Sequence, residues 1–365
     1  MTMKRELMSR FSGETTGRPL FVPDLTLWYE WHSTRGSLPE AWQDRSLPEI
    51  TRLMGVPAWL PAQLWSIETP GIAVRTTETA DERTITYEMS NKTLVARWTQ
   101  GPDDDWWQTE YPVRSEEDLE AAIELVESRD YVLAPSNLSD VEGHVGSDGI
   151  VALELPKRPY SELLHDLVGW SEGLLLLDRP EVEAILSLLE SKLQHLVEQI
   201  TRLPGEIVLS PDNLDGQFIS PGAFERYLSG SYRRTAEILH DHGKQLVVHI
   251  GGPIKRLLSA LAATGVDGIQ GICGPPQSDA SLPEARDLVG PEVTLWGGIP
   301  QDALLKMHAW AYLEGAIIEA GEAAAEDPRI LLGVADRVPV SADIERLKAM
   351  TTLITETLPS RDGPN

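Results

Sequence analysis

The chain has 365 residues, 41% of them hydrophobic and 24% charged, with a formal net charge of −26. So acidic a field repels nucleic acid and anionic membranes and works against polyanionic substrates. A single cysteine, Cys273, excludes an intrachain disulfide and a metal cage built from thiolates, and reads as a small apolar residue.

Apolar runs stay well short of the roughly 18 residues a bilayer span needs, and Met1 to Phe11 carries no signal-peptide core. A cytoplasmic protein is therefore expected. Residues 19–27 predict a first strand. Stretches 71–88 and 92–100 alternate and are rich in Thr, Val and Ile, with a turn at Ser90-Asn91-Lys92. They predict a β-hairpin inside a β-rich insertion over 56–112, a lid or a dimer surface. Gly101 to Asp105 reads as a loop, and 115–127 as a helix capped by Ser115 with acids in its first turn.

From about residue 130 the texture becomes regular. Short apolar runs stand at 131–135, 149–155, 206–212, 245–251, 267–273, 293–298 and 329–335. Helical patterns separate them, notably at 180–202, 221–242, 253–263, 281–289, 301–325 and 341–357. The stretch after Leu358 reads as a frayed tail. Continuous apolar strands alternating with helices predict a parallel sheet covered on both faces. With 19–27 there are eight strands, the number that closes a (β/α)₈ TIM barrel, and one domain over 1–365 is expected. An open dinucleotide-binding sheet would carry a Gly-rich turn after its first strand, and none follows residue 27.

A barrel of this kind places its site at the C-terminal strand ends. His249 ends the run Leu246-Val247-Val248 and precedes two glycines. Histidine there suits a general base or a metal ligand. Asp212 and Asp336, each at the end of an apolar run, are the carboxylate candidates; with His249 they would bind a metal or move a proton. Eight of the eleven tryptophans precede residue 108. Trp28, Tyr29 and Trp31 follow the first strand and would wall a pocket for a flat or methylated ligand. The bland alternative is that these aromatics pack the insertion. Asn213, Trp296 and Gln277, also at strand ends, complete the expected substrate contacts.

The segment from Ser210 to Arg346 resembles the uroporphyrinogen decarboxylase superfamily. The residues that carry the likeness are Asp212-Asn213 with Ile219-Ser220-Pro221, then His249-Ile250-Gly251-Gly252 and Pro275-Pro276-Gln277-Ser278-Asp279. Trp296-Gly297-Gly298-Ile299 and Gly333 to Pro339 complete it. The likeness is closest to the branch of methyltransferases that serve corrinoid proteins. It implies a barrel enzyme that demethylates a small molecule, in the first instance a methoxy compound, and passes the methyl to a corrinoid on a partner protein. A homodimer is a further expectation.

Two departures stand out. Zinc-dependent members of that branch carry a His-x-Cys strand end and a second Cys on the last strand. Here Gly251 and Val334 stand near those places. A zinc site would have to use His249 with Asp212 or Asp336, and would suit oxygen better than thiol. Uroporphyrinogen decarboxylases proper carry an Arg-x-Ala-Gly-Arg motif near the first strand. This chain has Asp24 to His32 there, dominated by aromatics. A lyase acting on a smaller carboxylic acid is the alternative, with Arg337 and Arg158 as its candidate carboxylate binders. A ligand-binding barrel without catalysis is the third reading.

Overall fold

The computed structural model describes residues 2–14, 18–101, 106–134 and 138–357. The predicted loop from Pro102 to Asp105 and the tail from Leu358 lie outside them. The chain resolves into two compact units. One joins Met1–Gln63, Ser136–Leu155 and Pro204–Asn365; the other joins Leu64–Pro135 and Pro156–Leu203.

The first unit is built on an eight-stranded parallel sheet. Its strands are β1 (Leu20–Phe21), β2 (Ala58–Ala62), β3 (Gly149–Glu154), β4 (Ile207–Leu214), β5 (Gln245–Ile250), β6 (Gly268–Ile272), β7 (Thr294–Ile299) and β8 (Ile330–Val334). They lie in the order β1-β8-β7-β6-β5-β4-β3-β2. The last three are buried almost throughout, the pattern of a sheet covered on both faces. The order is that of a (β/α)₈ barrel with a seam between its first two strands. Among the described residues no ladder joins β1 to β2.

The sheet is curled. Strands pair about 4.8 Å apart, so β2 and β7, five steps apart, would lie about 24 Å from one another in a flat sheet. Yet the rings of Trp59 and Trp296 meet edge-on with centroids 4.6 Å apart. One buried cluster takes Leu20, Trp59, Ile150, Ile207, Val247, Trp296 and Leu331 from the strands, and Leu7 and Phe11 from the helix Met3–Ser12. Trp296 is thus core rather than substrate wall. Its Nε1 donates to the Val22 carbonyl at 3.0 Å.

Two strands differ from expectation. β2 lies inside the stretch read as an insertion. The run read at 131–135 is a strand, Asp130–Leu133, that pairs antiparallel with Trp65–Glu68 outside the parallel sheet. Its alternating exposure is that of a strand with one wet face. Pro61 had disguised β2; a proline fits because β2 pairs on one side only, with β3. The first strand is also shorter than 19–27. Asp24 Oδ1 accepts from the Thr26 amide at 3.0 Å and from the Thr26 hydroxyl at 2.5 Å, an Asx turn that starts the helix Thr26–Thr34.

The second unit carries a four-stranded antiparallel sheet of Ala73–Glu78, Glu82–Glu88, Thr93–Gln100 and Trp106–Glu110. The stretch 71–88 is therefore two strands, joined where the Thr79 amide donates to Glu82 O at 2.8 Å. Its helices include Leu119–Ser128 and Pro180–Ile200, and its core gathers Leu94, Val113, Leu125, Leu163 and Leu189. Among the described residues no helix is long and apolar enough to cross a membrane.

Removing the Trp296 ring would open a void and strand the Val22 carbonyl. Trp296→Ala should cost about 3–5 kcal/mol of unfolding free energy in a denaturant titration. A stability unchanged from wild type would return Trp296 to a wall of the pocket.

Candidate active site

The C-terminal strand ends of the first unit surround a cavity of about 430 Å³. Strand alternation explains which side chains reach it. On β5, Val248 and Ile250 are buried to one side, and His249 between them faces the cavity. Gln270 of β6 stands opposite His249 in register and faces the same way. Its Oε1 lies 3.2 Å from His249 Nδ1. The other ring nitrogen, Nε2, lies 3.3 Å from Asp336 Oδ1. Both nitrogens thus face oxygen acceptors.

Asp336 follows β8 with φ 68°, a left-handed conformation that aspartate tolerates better than most residues. Arg337 Nε lies 3.7 Å from the same carboxylate oxygen. Burial acts to raise the Asp336 carboxyl, but the hydrogen bond and charge of His249 and the charge of Arg337 outweigh it. Its pKa sits below the ordinary value.

Two further acids line the cavity and are pushed the other way. Glu154 ends β3, and burial raises its carboxyl against the opposing charges of Arg337 and His249. Asp24 is raised by burial too, although its bonds to Thr26 oppose the shift. Glu30 completes the acidic lining. Against four carboxyl groups, Arg337 is the arginine of the lining. Arg158 belongs to the other unit, where it is buried.

Asp212 does not join this group. It is buried, and its Oδ2 accepts from Ser210 Oγ at 2.7 Å and Tyr232 OH at 2.6 Å. Its neighbours Pro211 and Asn213 line the cavity instead. One step along the strand reverses the face. The expected zinc set therefore loses a member. His249 and Asp336 remain as two donors bonded to each other, and among the described residues no group of three or more His, Cys, Asp or Glu could hold a metal. This donor set does not fit zinc.

The place of the missing thiolate is also filled. A Cβ built on Gly251 would lie 1.7 Å from Asn213 Oδ1. The Asn213 amide occupies the space a cysteine side chain would need. Cys273 is no substitute, since burial pushes its thiol up to about 12.

The aromatic segment turns away from the cavity. Trp28 packs edge-on against Trp42 with centroids 5.8 Å apart. Tyr29 OH donates to the Arg45 carbonyl at 3.0 Å. Trp31 lies under the Arg35 guanidinium at 3.4 Å. The face of the helix Thr26–Thr34 that reaches the cavity is Thr26, Leu27 and Glu30, positions i, i+1 and i+4. Gln277 also stands outside the lining. Its Nε2 donates to Ala335 O at 3.3 Å, and its Oε1 accepts from the Gln301 amide at 3.1 Å, bracing neighbouring loops. Sequence reasoning missed Asp24, Glu154 and Gln270. Glu154 shows the same signal that singled out His249, a polar residue closing an apolar run.

A family model described as uroporphyrinogen decarboxylase (URO-D) matches residues 172–357. The chain belongs to the uroporphyrinogen decarboxylase family. Among solved structures, a methyltransferase from Methanosarcina mazei is 16% identical, with 98% of this chain and 99% of that one covered and a TM-score of 0.63. The two share a fold. A D-psicose 3-epimerase from Clostridium cellulolyticum H10 is 10% identical over 60% of this chain and 81% of that one; its TM-score of 0.37 carries no weight. No curated protein matches at the level of significance applied. For a URO-D family member, the cavity is poor in arginine, and the stretch from Asp24 to His32 has none.

A depressed carboxyl stabilises the folded state above its unfolded value of about 3.9 and loses that contribution as pH falls through its folded value. His249→Ala should therefore move the Asp336 midpoint, read by carboxyl NMR, upward toward the ordinary value. A midpoint unmoved by the substitution would show that His249 does not hold Asp336 charged.

Proposed function

We propose that this protein is a methyltransferase that takes the methyl group of a small methoxy compound and passes it to a corrinoid carried by a partner protein. The observation that carries the reading is the cavity itself. At about 430 Å³ it falls within the usual range of small-molecule sites. Four carboxyl groups against Arg337 disfavour a substrate with many carboxylates, for which paired arginines are the matching groups. A neutral methoxy donor meets no such repulsion.

Breaking the C–O bond leaves the electron pair on oxygen, which must gain a proton. The corrinoid supplies the nucleophile that accepts the methyl group. His249, with both ring nitrogens turned to Gln270 and Asp336, positions these two polar groups at the polar end of the donor. Leu27, Pro61 and Leu209 give the methyl an apolar surface. No step is routed through zinc, since among the described residues no third His, Cys, Asp or Glu joins His249 and Asp336 in a group that could hold a metal.

We further take the curled sheet as a (β/α)₈ barrel closed across the β1–β2 seam, since Leu20 and Trp59 from either side share one cluster. We place the protein in the cytoplasm, in keeping with its acidic, thiol-poor composition. Arg337 in the lining favours one other reading, a lyase acting on a smaller carboxylic acid.

Methyl transfer to free cob(I)alamin separates these readings. Wild-type protein should demethylate at least one member of a panel headed by 2-methoxyphenol. His249→Ala should lower the rate by ~10²-fold or more. Release of CO₂ from a small acid without methyl transfer would move the assignment to the lyase. No transfer from any donor, with folded protein, would overturn it.

A further inference from the structure

We infer that Glu154 is the general acid of this cavity, giving its carboxyl proton to the donor's oxygen as the methyl leaves; the assignment rests on the methyl-transfer reading above. Position is the first argument. Glu154 is the last residue of β3, an inner strand flanked by β2 and β4, and it opens into the cavity beside Pro61 and Leu209. In register it stands opposite Leu209. Apolar walls desolvate a carboxyl and favour its neutral, proton-bearing form.

Exclusion is the second argument. Asp24 Oδ1 is committed to the amide and hydroxyl of Thr26, where it starts a helix. Asp336 is held as a carboxylate by His249 and Arg337, so it has no proton to give. Glu30 is exposed to solvent rather than enclosed by the cavity walls. The charged and titratable groups that act on Glu154 are Arg337, Asp24 and His249; Asp24 acts in the same direction as burial, and burial outweighs Arg337 and His249. Two carboxyls in one cavity are thus driven in opposite directions, the arrangement that separates an acid from its ionised partner.

The step balances without a further reactant. The acceptor's electron pair forms the new bond to the methyl carbon. The C–O bonding pair stays on the oxygen, which takes the proton of Glu154 and leaves as a hydroxyl. Glu154 becomes a carboxylate and is reprotonated from water.

Leaving-group dependence tests this with cob(I)alamin as acceptor. An anisole whose phenol leaves readily as an anion, such as 4-nitroanisole, needs little help from an acid; 2-methoxyphenol needs it fully. Glu154→Gln should lose ~10²–10⁴-fold with 2-methoxyphenol and far less with 4-nitroanisole. It should also lose the alkaline fall of the wild-type rate profile. Equal losses with both donors, or an alkaline limb that survives, would overturn the assignment.

Two readouts stand apart from turnover. A raised acid costs the fold stability as pH rises through its folded pKa, so Glu154→Gln should unfold at a higher temperature than wild type at neutral pH. At pH above the ordinary Glu pKa of about 4.3, infrared difference spectra on binding 2-methoxyphenol should still show a protonated carboxyl stretch, absent from Glu154→Gln. No such band in wild type sinks the role of Glu154 whether or not methyl moves. The band without any methyl transfer sinks the transfer reading and leaves Glu154 as the proton-bearing acid of the cavity.

Discussion

The contact between His249 and Asp336 is the constraint on which the rest depends. Their strands are three steps apart in the sheet, about 14 Å if it were flat. A separation of 3.3 Å between Nε2 and Oδ1 is reached because the sheet curls and because Asp336 takes a left-handed backbone just past β8. Backbone conformations of that kind are held only where their surroundings support them, and they gather at functional sites. Here the support is local: Asp336 meets the imidazole on one side and the Arg337 guanidinium on the other.

From that contact the chemistry of the cavity follows. Holding Asp336 charged occupies His249 on one edge, and Gln270 occupies the other. The imidazole is thereby fixed in orientation, as a group that must meet a substrate needs to be. The remaining carboxyls do not share this cation in full, and burial moves Asp24 and Glu154 toward their neutral forms. A cavity with four acids thus need not carry four charges. The Gly251 position is filled by the Asn213 amide, so a larger side chain there would have to displace that amide, which belongs to a residue lining the same cavity.

Much of this architecture was readable from residue pattern. β3 to β8 stand out because strands buried on both faces must be apolar without interruption. β2 was hidden by Pro61, and its place was given to the amphipathic strand Asp130–Leu133, whose run of Tyr131, Val132 and Leu133 mimics a core strand. His249, Asp336 and Asn213 reach the cavity, but Asp212 does not. One residue of alternation separates Asp212 from Asn213, and β4 carries an irregular register between Ser210 and Leu214 that no composition reveals. The aromatic cluster misled for a related reason. Placed directly after a strand that ends at residue 27, Trp28, Tyr29 and Trp31 read as a rim segment; in the helix begun by Asp24 they point away from the cavity. Glu154 carried a legible signal, a charge closing an apolar run, and that signal is the one most worth weighing at any strand end of this fold.

Where a small methylated molecule binds is the point on which the account stands or falls. Isotope-edited NMR with 2-methoxyphenol labelled in its methyl carbon measures it directly. Cross-peaks from the labelled methyl to Leu27 and Leu209, with the His249 ring shifted, are the predicted result. Contacts confined to Trp28 and Trp31, or none within the strand-end cavity, would contradict it.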